Sequence, residues 1–121
     1  MSHSVLVVDD SAMSRKLIIR GFPADWASEV RQASNGREAL AALAEALPDI
    51  MLLDLTMPEM DGYEVLAKCQ ERALDVCTIV LSADVQPRAE ARVMGLGAAA
   101  FLKKPFDRSA LESVLVRIEK R

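Results

Sequence analysis

Histidine, cysteine and aromatic residues are all scarce in this chain, and each scarcity removes a class of chemistry. The one histidine, His3, lies close to the N-terminus, where chains fray. A His-based catalytic triad or a histidine-rich metal site therefore has nothing to be built from. The two cysteines, Cys69 and Cys77, are too few for a zinc site and read as reduced packing residues, as expected of a cytoplasmic protein. Aromatics make up 4% of the 121 residues, which argues against a platform for stacked bases or sugars. A net charge of -3 argues against nonspecific binding of nucleic acid. No apolar stretch approaches the length of a membrane span. Met1-Ser2-His3-Ser4 leads straight into a strand-like run, so neither a signal peptide nor a membrane segment is expected.

What the chain does have is alternation of strand-like and helix-like segments. Three short apolar runs, Val5 to Val8, Ile50 to Leu53 and Val76 to Leu81, read as buried strands. Ala27 to Ala33 is a weaker strand of mixed character, expected near an edge, and Ala99 to Leu102 is the last. Between them lie helical patterns. Ser11 is placed to cap a helix to about Arg20 with Gly21 as its stop. Asn35 is placed to cap a helix with Leu40, Leu43 and Leu47 on one face, closed by Pro48. A Pro- and Gly-punctuated loop, Met57 to Gly62, leads into a helix to about Arg72. Pro87 opens a short helix to Met94 that Gly95 and Gly97 break. The final helix carries Leu111, Val114, Leu115 and Ile118 as a core stripe, with Asp107 or Ser109 as its cap and Ser109 with Glu112 as a capping box. Five strands alternating with five helices predict an α/β fold, a parallel sheet covered on both faces, in one domain spanning 1–121.

Open α/β sheets gather function at the carboxyl ends of their strands. In chain order those ends read Asp9-Asp10, Asp54, Ser82-Ala83 and Lys103-Lys104-Pro105. Taken singly, each has an ordinary structural reading: an acid cluster at a helix start, a strand-end cap, a loop hydroxyl, a solvated lysine pair. Together they form a set suited to phosphate and a hard cation. Converging carboxylates repel one another unless a cation sits among them. Asp10 and Asp54 can supply oxygens to Mg2+, and Asp9 can accept from a water on that ion. Asp54, kept ionised, can attack phosphorus and form an acyl phosphate. Lys104 and the Ser82 hydroxyl can balance charge on the transferring group.

These residues resemble a known family, the receiver domains of two-component response regulators, of the single-domain chemotaxis type. The resemblance rests on Val7-Val8-Asp9-Asp10-Ser11, on Leu53-Asp54-Leu55-Thr56-Met57-Pro58-Glu59-Met60-Asp61-Gly62, on Leu81-Ser82-Ala83 and on Phe101-Leu102-Lys103-Lys104-Pro105-Phe106. It covers essentially the whole chain. It implies a flavodoxin-like fold with strand order 2-1-3-4-5. It implies Asp54 as phosphoacceptor, Asp9 and Asp10 as the acid pair with Asp10 the direct ligand of Mg2+, and Thr56 as a ligand through its backbone carbonyl. Ser82 would be the switch hydroxyl and Phe101 the aromatic switch, a position where many receivers carry Tyr. Lys104 would be the phosphate-binding lysine, joined to Pro105 by a cis peptide bond. Thr56 and Asp84 would flank the phosphoryl group and tune its lifetime.

The implied function is phosphorelay signalling rather than enzymatic turnover. The phosphoryl donor would be a sensor histidine kinase or a phosphotransfer protein. A downstream protein would dock on Arg88-Met94, the last strand and the last helix, a face made basic by Arg88, Arg92, Lys103 and Arg117. Nucleic acid and membrane are not expected as direct partners. One alternative is a receiver cut from a larger regulator that carries a DNA-binding or chemotaxis phosphatase-like output domain. A more remote one is an aspartate-nucleophile phosphohydrolase, but Asp54-Leu55-Thr56 lacks the second acid such enzymes use as proton donor. A flavin or nucleotide binder would need a Gly-rich loop where Asp9-Asp10-Ser11 stands.

Overall fold

The computed structural model describes residues 3–23, 26–83, 87–104 and 108–119. Five strands, β1 (His3–Val8), β2 (Ala27–Ala33), β3 (Ile50–Asp54), β4 (Cys77–Ser82) and β5 (Ala100–Lys103), alternate with five helices. These are α1 (Ala12–Arg20), α2 (Gly36–Glu45), α3 (Gly62–Glu71), α4 (Pro87–Gly95) and α5 (Arg108–Glu119). The sheet is parallel throughout and ordered β2-β1-β3-β4-β5. Both the fold class and the strand order match the expectation.

The three strongest apolar runs became the three inner strands because an inner strand of a covered parallel sheet has no polar face. Val5 to Val8, Ile50 to Leu53 and Ile79 to Leu81 are all buried. Alternation then sorts their side chains between two cores. Leu6, Val8, Met51, Leu53 and Val80 pack with Leu40 and Leu43 of α2, Val65 and Leu66 of α3, and Val93 of α4. Val5, Val7, Ile50, Leu52, Ile79 and Leu81 pack with Ile18 of α1 and Leu111, Val114 and Leu115 of α5. Each such side chain contributes about 1.5–3 kcal/mol by leaving water. The mixed composition of β2 places it at an edge, as expected, with Glu29 and Gln32 exposed.

The helix starts follow their caps. Ser11 Oγ accepts from the Ser14 amide at 3.2 Å, Asn35 Oδ1 from Glu38 at 2.8 Å, and Asp61 Oδ1 from Glu64 at 3.0 Å. Three details differ from the sequence reading. Leu47 is 45% exposed, because α2 stops at Glu45 and Ala46 is already extended, which takes Leu47 off the helical stripe. Ser109 follows a helical Arg108, so the capping box with Glu112 does not form at the helix start. Asp107, the other candidate cap, lies outside the described residues. Gly95 does not break α4 but belongs to it. The stop is Gly97, at φ +99. There the Ala98 amide reaches the Val93 carbonyl at 3.0 Å and the Gly97 amide that of Met94 at 3.1 Å, the pairing that ends a helix on a left-handed residue. A Cβ at Gly97 would meet nothing within 4 Å, so only the backbone angle resists substitution. Gly97→Ala is expected to lower stability by about 1–2 kcal/mol, measured as a fall in the urea midpoint at unchanged slope.

Candidate functional site

The parallel register brings the carboxyl ends of β1, β3, β4 and β5 to one rim of the sheet. Alternation decides which way each end residue faces. Val8, Leu53 and Val80 face the α2–α4 core, so Asp9 and Asp54, one residue further along their strands, turn toward the α1 side. Leu102 packs in the α1–α5 core, and Lys104, two residues on, turns the same way. Lys103 is exposed on the opposite face.

Asp9, Asp54 and Lys104 meet there. Lys104 Nζ donates to Asp9 Oδ2 at 2.7 Å and to Asp54 Oδ1 at 3.2 Å. Asp9 and Asp54 are both buried, at 1% and 5% exposure, while Asp10 is exposed. Asp9 is held from several sides. Its Oδ1 accepts from the Ser11 amide at 2.9 Å, its Oδ2 from Ser14 Oγ at 2.5 Å, and its carbonyl from Arg15 at 2.7 Å. Ser14 Oγ also accepts from Lys104 Nζ at 3.2 Å. Sequence reading assigned no role to Ser14, which lies in the first turn of α1. The available signal was its place three residues after the cap, one helical turn above the strand end.

The two buried acids have opposite electrostatics. For Asp9, burial favours the neutral form, but hydrogen bonds from Lys104, Ser14 and the Ser11 amide outweigh it and hold the carboxyl below its ordinary range. For Asp54, burial dominates; the Lys104 charge opposes it, Asp9 and Asp10 reinforce it, and the carboxyl is pushed up. Burial would lower Lys104, yet the Asp9 hydrogen bond and the Asp54 charge prevail and raise it.

One carboxylate oxygen from each of Asp9, Asp10 and Asp54 can be chosen so that all three lie within 4.8 Å of one another. An all-oxygen set with one exposed member fits a hard cation that retains waters. Thr56 is exposed in the loop after β3 and lines a small cavity of about 240 Å3 with Ser82, Met57 and Tyr63. Ser82 is buried at the end of β4, and its carbonyl accepts from the Lys104 amide at 2.8 Å. Phe101 is half-buried against the α2–α4 core and pairs with Val80, two residues before Ser82. It therefore shares a face with the serine, one step along the rim. Pro105 and Asp84 lie outside the described residues. Of the four cations expected on the output face, Arg92 sits with its guanidinium 3.8 Å above the Tyr63 ring, which draws it toward α3. Arg88, Lys103 and Arg117 are exposed.

An apolar groove of about 570 Å3 adjoins the acids, lined by Ser11, Ser14, Leu17, Ile18 and Lys104 among others. On its α1 wall Met13 and Leu17 are 67% and 59% exposed. Among the described residues, no helix is long and apolar enough to cross a membrane.

The family model of the response regulator receiver domain matches residues 5–116. The chain belongs to that family. This receiver is CheY-like: it is 32% identical to the chemotaxis protein CheY of Thermotoga maritima over 99% of this chain and 100% of that one. It is also 41% identical, over 85% of its length, to a protein-glutamate methylesterase/protein-glutamine glutaminase of Treponema pallidum. The receiver spans 26% of that relative, and 26–34% of the first four relatives bearing this name. Among solved structures, a chain of the CheX-CheY-BeF3-Mg2+ complex from Borrelia burgdorferi superposes with a TM-score of 0.89 at 29% identity, covering 96% of this chain and 88% of that one.

Proposed function

We propose that this receiver takes a phosphoryl group onto Asp54 from a sensor histidine kinase or phosphotransfer protein and, so modified, engages a downstream protein. The observation that carries the proposal is the Lys104 ammonium placed between Asp9 and Asp54 at a rim where three carboxylates converge. An Asp54 oxygen attacks phosphorus, the bond from phosphorus to the donor's imidazole nitrogen breaks, and the electron pair leaves with the imidazole. Asp54 must be ionised to attack, and its burial works against that, so the ammonium of Lys104 is needed next to it. Asp10 and Asp54, with the Thr56 carbonyl and a water held by Asp9, would bind Mg2+. When bound, that ion supplies positive charge against acid–acid repulsion and against charge building on the phosphoryl oxygens.

In this reading the donor approaches from the α1 side, which is supported by Asp54 and Lys104 facing that way and by the exposed Met13 and Leu17 bordering the approach. Ser82 then donates its hydroxyl to the phosphoryl group, vacating space toward which Phe101 turns. The surface of α4, β5 and α5 changes and a partner docks there. Phe carries no hydroxyl to fix the turned state, so coupling rests on packing alone. In this reading residues 1–121 form one cytoplasmic receiver domain, a signalling module whose covalent chemistry is limited to its own phosphorylation and slow dephosphorylation. The short span relative to the methylesterases favours a second reading, the same site serving an attached output domain; the molecular mass of the native protein in its own cells separates the two.

With Mg2+ and acetyl phosphate, the protein is expected to gain one phosphoryl group that survives acid and is lost in base. EDTA is expected to prevent the gain. Intact-mass spectrometry reads both outcomes, and labelling at full rate in EDTA would refute the metal's part. In the beryllium fluoride form, amide resonances of Phe101 to Lys103 and of α4 are expected to move; a silent face would refute the output surface.

A further inference from the structure

Ser14 Oγ lies within hydrogen-bond reach of both Asp9 and Lys104, and the phosphorylation chemistry described above gives it no role. We infer that Ser14 is a positioning residue for phosphorylation, acting through Lys104. The inference rests on Asp54 being the phosphoacceptor.

A lysine ammonium has three donors, and Lys104 directs them to three acceptors: Asp9 Oδ2 at 2.7 Å, Asp54 Oδ1 at 3.2 Å and Ser14 Oγ at 3.2 Å. The Ser14 hydroxyl in turn donates to Asp9 Oδ2 at 2.5 Å. Asp9 Oδ2, Ser14 Oγ and Lys104 Nζ therefore close a triangle. Two effects follow. The serine gives the ammonium its third fixed point. It also supplies Asp9 Oδ2 with a competing donor, which weakens that oxygen's hold on the lysine. Without the hydroxyl, Asp9 Oδ2, already the nearest acceptor at 2.7 Å, tightens its hold and draws the ammonium off Asp54, away from where negative charge builds as the Asp54–phosphorus bond forms.

The cap of α1 sets this geometry. Ser11 Oγ receives the Ser14 amide while the Ser11 amide binds Asp9 Oδ1. The turn that starts the helix thus delivers the serine to the other oxygen of the same carboxylate. Ala at this position suits a helix better than Ser does, so folding of the variant is not threatened.

The test uses the full chain, saturating Mg2+ and acetyl phosphate. The Asp54 oxygen displaces acetate, which departs with its electron pair. Ser14→Ala is expected to slow phosphorylation about fivefold, equivalent to about 1 kcal/mol of barrier. Ser14→Thr, which keeps the hydroxyl, is expected to recover most of the rate. In the Lys104→Ala background the same Ser14→Ala change is expected to alter the rate by less than about twofold, because residues acting through one another are not additive. A Ser14→Ala rate within about twofold of the parent would overturn the inference alone, and so would a fivefold loss that persists without Lys104. Labelling that survives Asp54→Asn would overturn the Asp54 assignment, and this inference with it.

Discussion

Asp54→Asn is expected to abolish phosphorylation by acetyl phosphate and, in metal-free buffer near neutral pH, to raise the melting temperature. The first effect follows from the chemistry, since the amide offers no anionic oxygen to phosphorus. The second follows from the direction of the Asp54 shift. Burial pushes this carboxyl up, so the folded state holds the proton more tightly than the unfolded state does. Ionising it at neutral pH then works against folding, and stability is recovered as pH falls through the raised value toward the ordinary one. The neutral asparagine removes that penalty, and its advantage should vanish in acid. Asp9 gives the opposite sign. Its carboxyl is held low by hydrogen bonds, so its contribution is present above the ordinary carboxylate range and lost as pH falls through the lowered value. Asp9→Asn should therefore melt lower at neutral pH. Thermal melts of the parent and both variants between pH 3 and pH 7, roughly the span over which carboxylates titrate, check the pair. An Asp54→Asn protein less stable than the parent at neutral pH would contradict the electrostatic account.

Gly62→Ala is expected to damage fold and site together. A Cβ there would lie 2.7 Å from the Asp54 carbonyl oxygen and 2.9 Å from the Leu55 Cα, both backbone atoms that no rotamer change can move aside. The Gly62 amide also donates to the Leu55 carbonyl at 3.0 Å. The start of α3 therefore rests directly on the end of β3. Relief requires the helix or the strand end to shift, at about 2–3 kcal/mol for an overpacked site. Because the strand end carries Asp54, a shift of even part of an ångström changes its distance to Lys104. A lowered urea midpoint together with slower phosphorylation is the expected result, in contrast to Gly97→Ala, where phosphorylation should keep the parental rate. A Gly62→Ala protein matching the parent in both would show that α3 has slack at its start.

Much of this was legible in the sequence because inner strands of a covered sheet are written as unbroken apolar runs, and the first two of these end on acids. Val5 to Val8 before Asp9-Asp10 and Ile50 to Leu53 before Asp54 located the rim before any coordinate did. Apolar runs do not say which strands are neighbours; the strand order came through the family resemblance. The choice of Lys104 over Lys103 came the same way, although alternation from Leu102 gives it physically. Other features were hidden for local reasons. Ser14 is polar in a helix, where a serine more often faces water, and only the cap at Ser11 turns it onto Asp9. Leu47 fits the helical period of Leu40 and Leu43, but α2 ends before reaching it. Gly95 and Gly97 look alike in sequence, and only the positive φ of Gly97 distinguishes the helix stop from a helical glycine.

The two cores on either side of the sheet anchor helices α1 and α4 separately. Helix α1, with Met13 and Leu17 exposed, is anchored through Ile18 in one core. Helix α4 is anchored through Val93 in the other. Surface changes on these two helices share no packing partner in those cores, and substitutions at separated sites act nearly independently. A substitution on the exposed side of α1 is therefore expected to leave α4 undisturbed, whereas α5 shares the α1 core through Leu111, Val114 and Leu115 and is coupled to it.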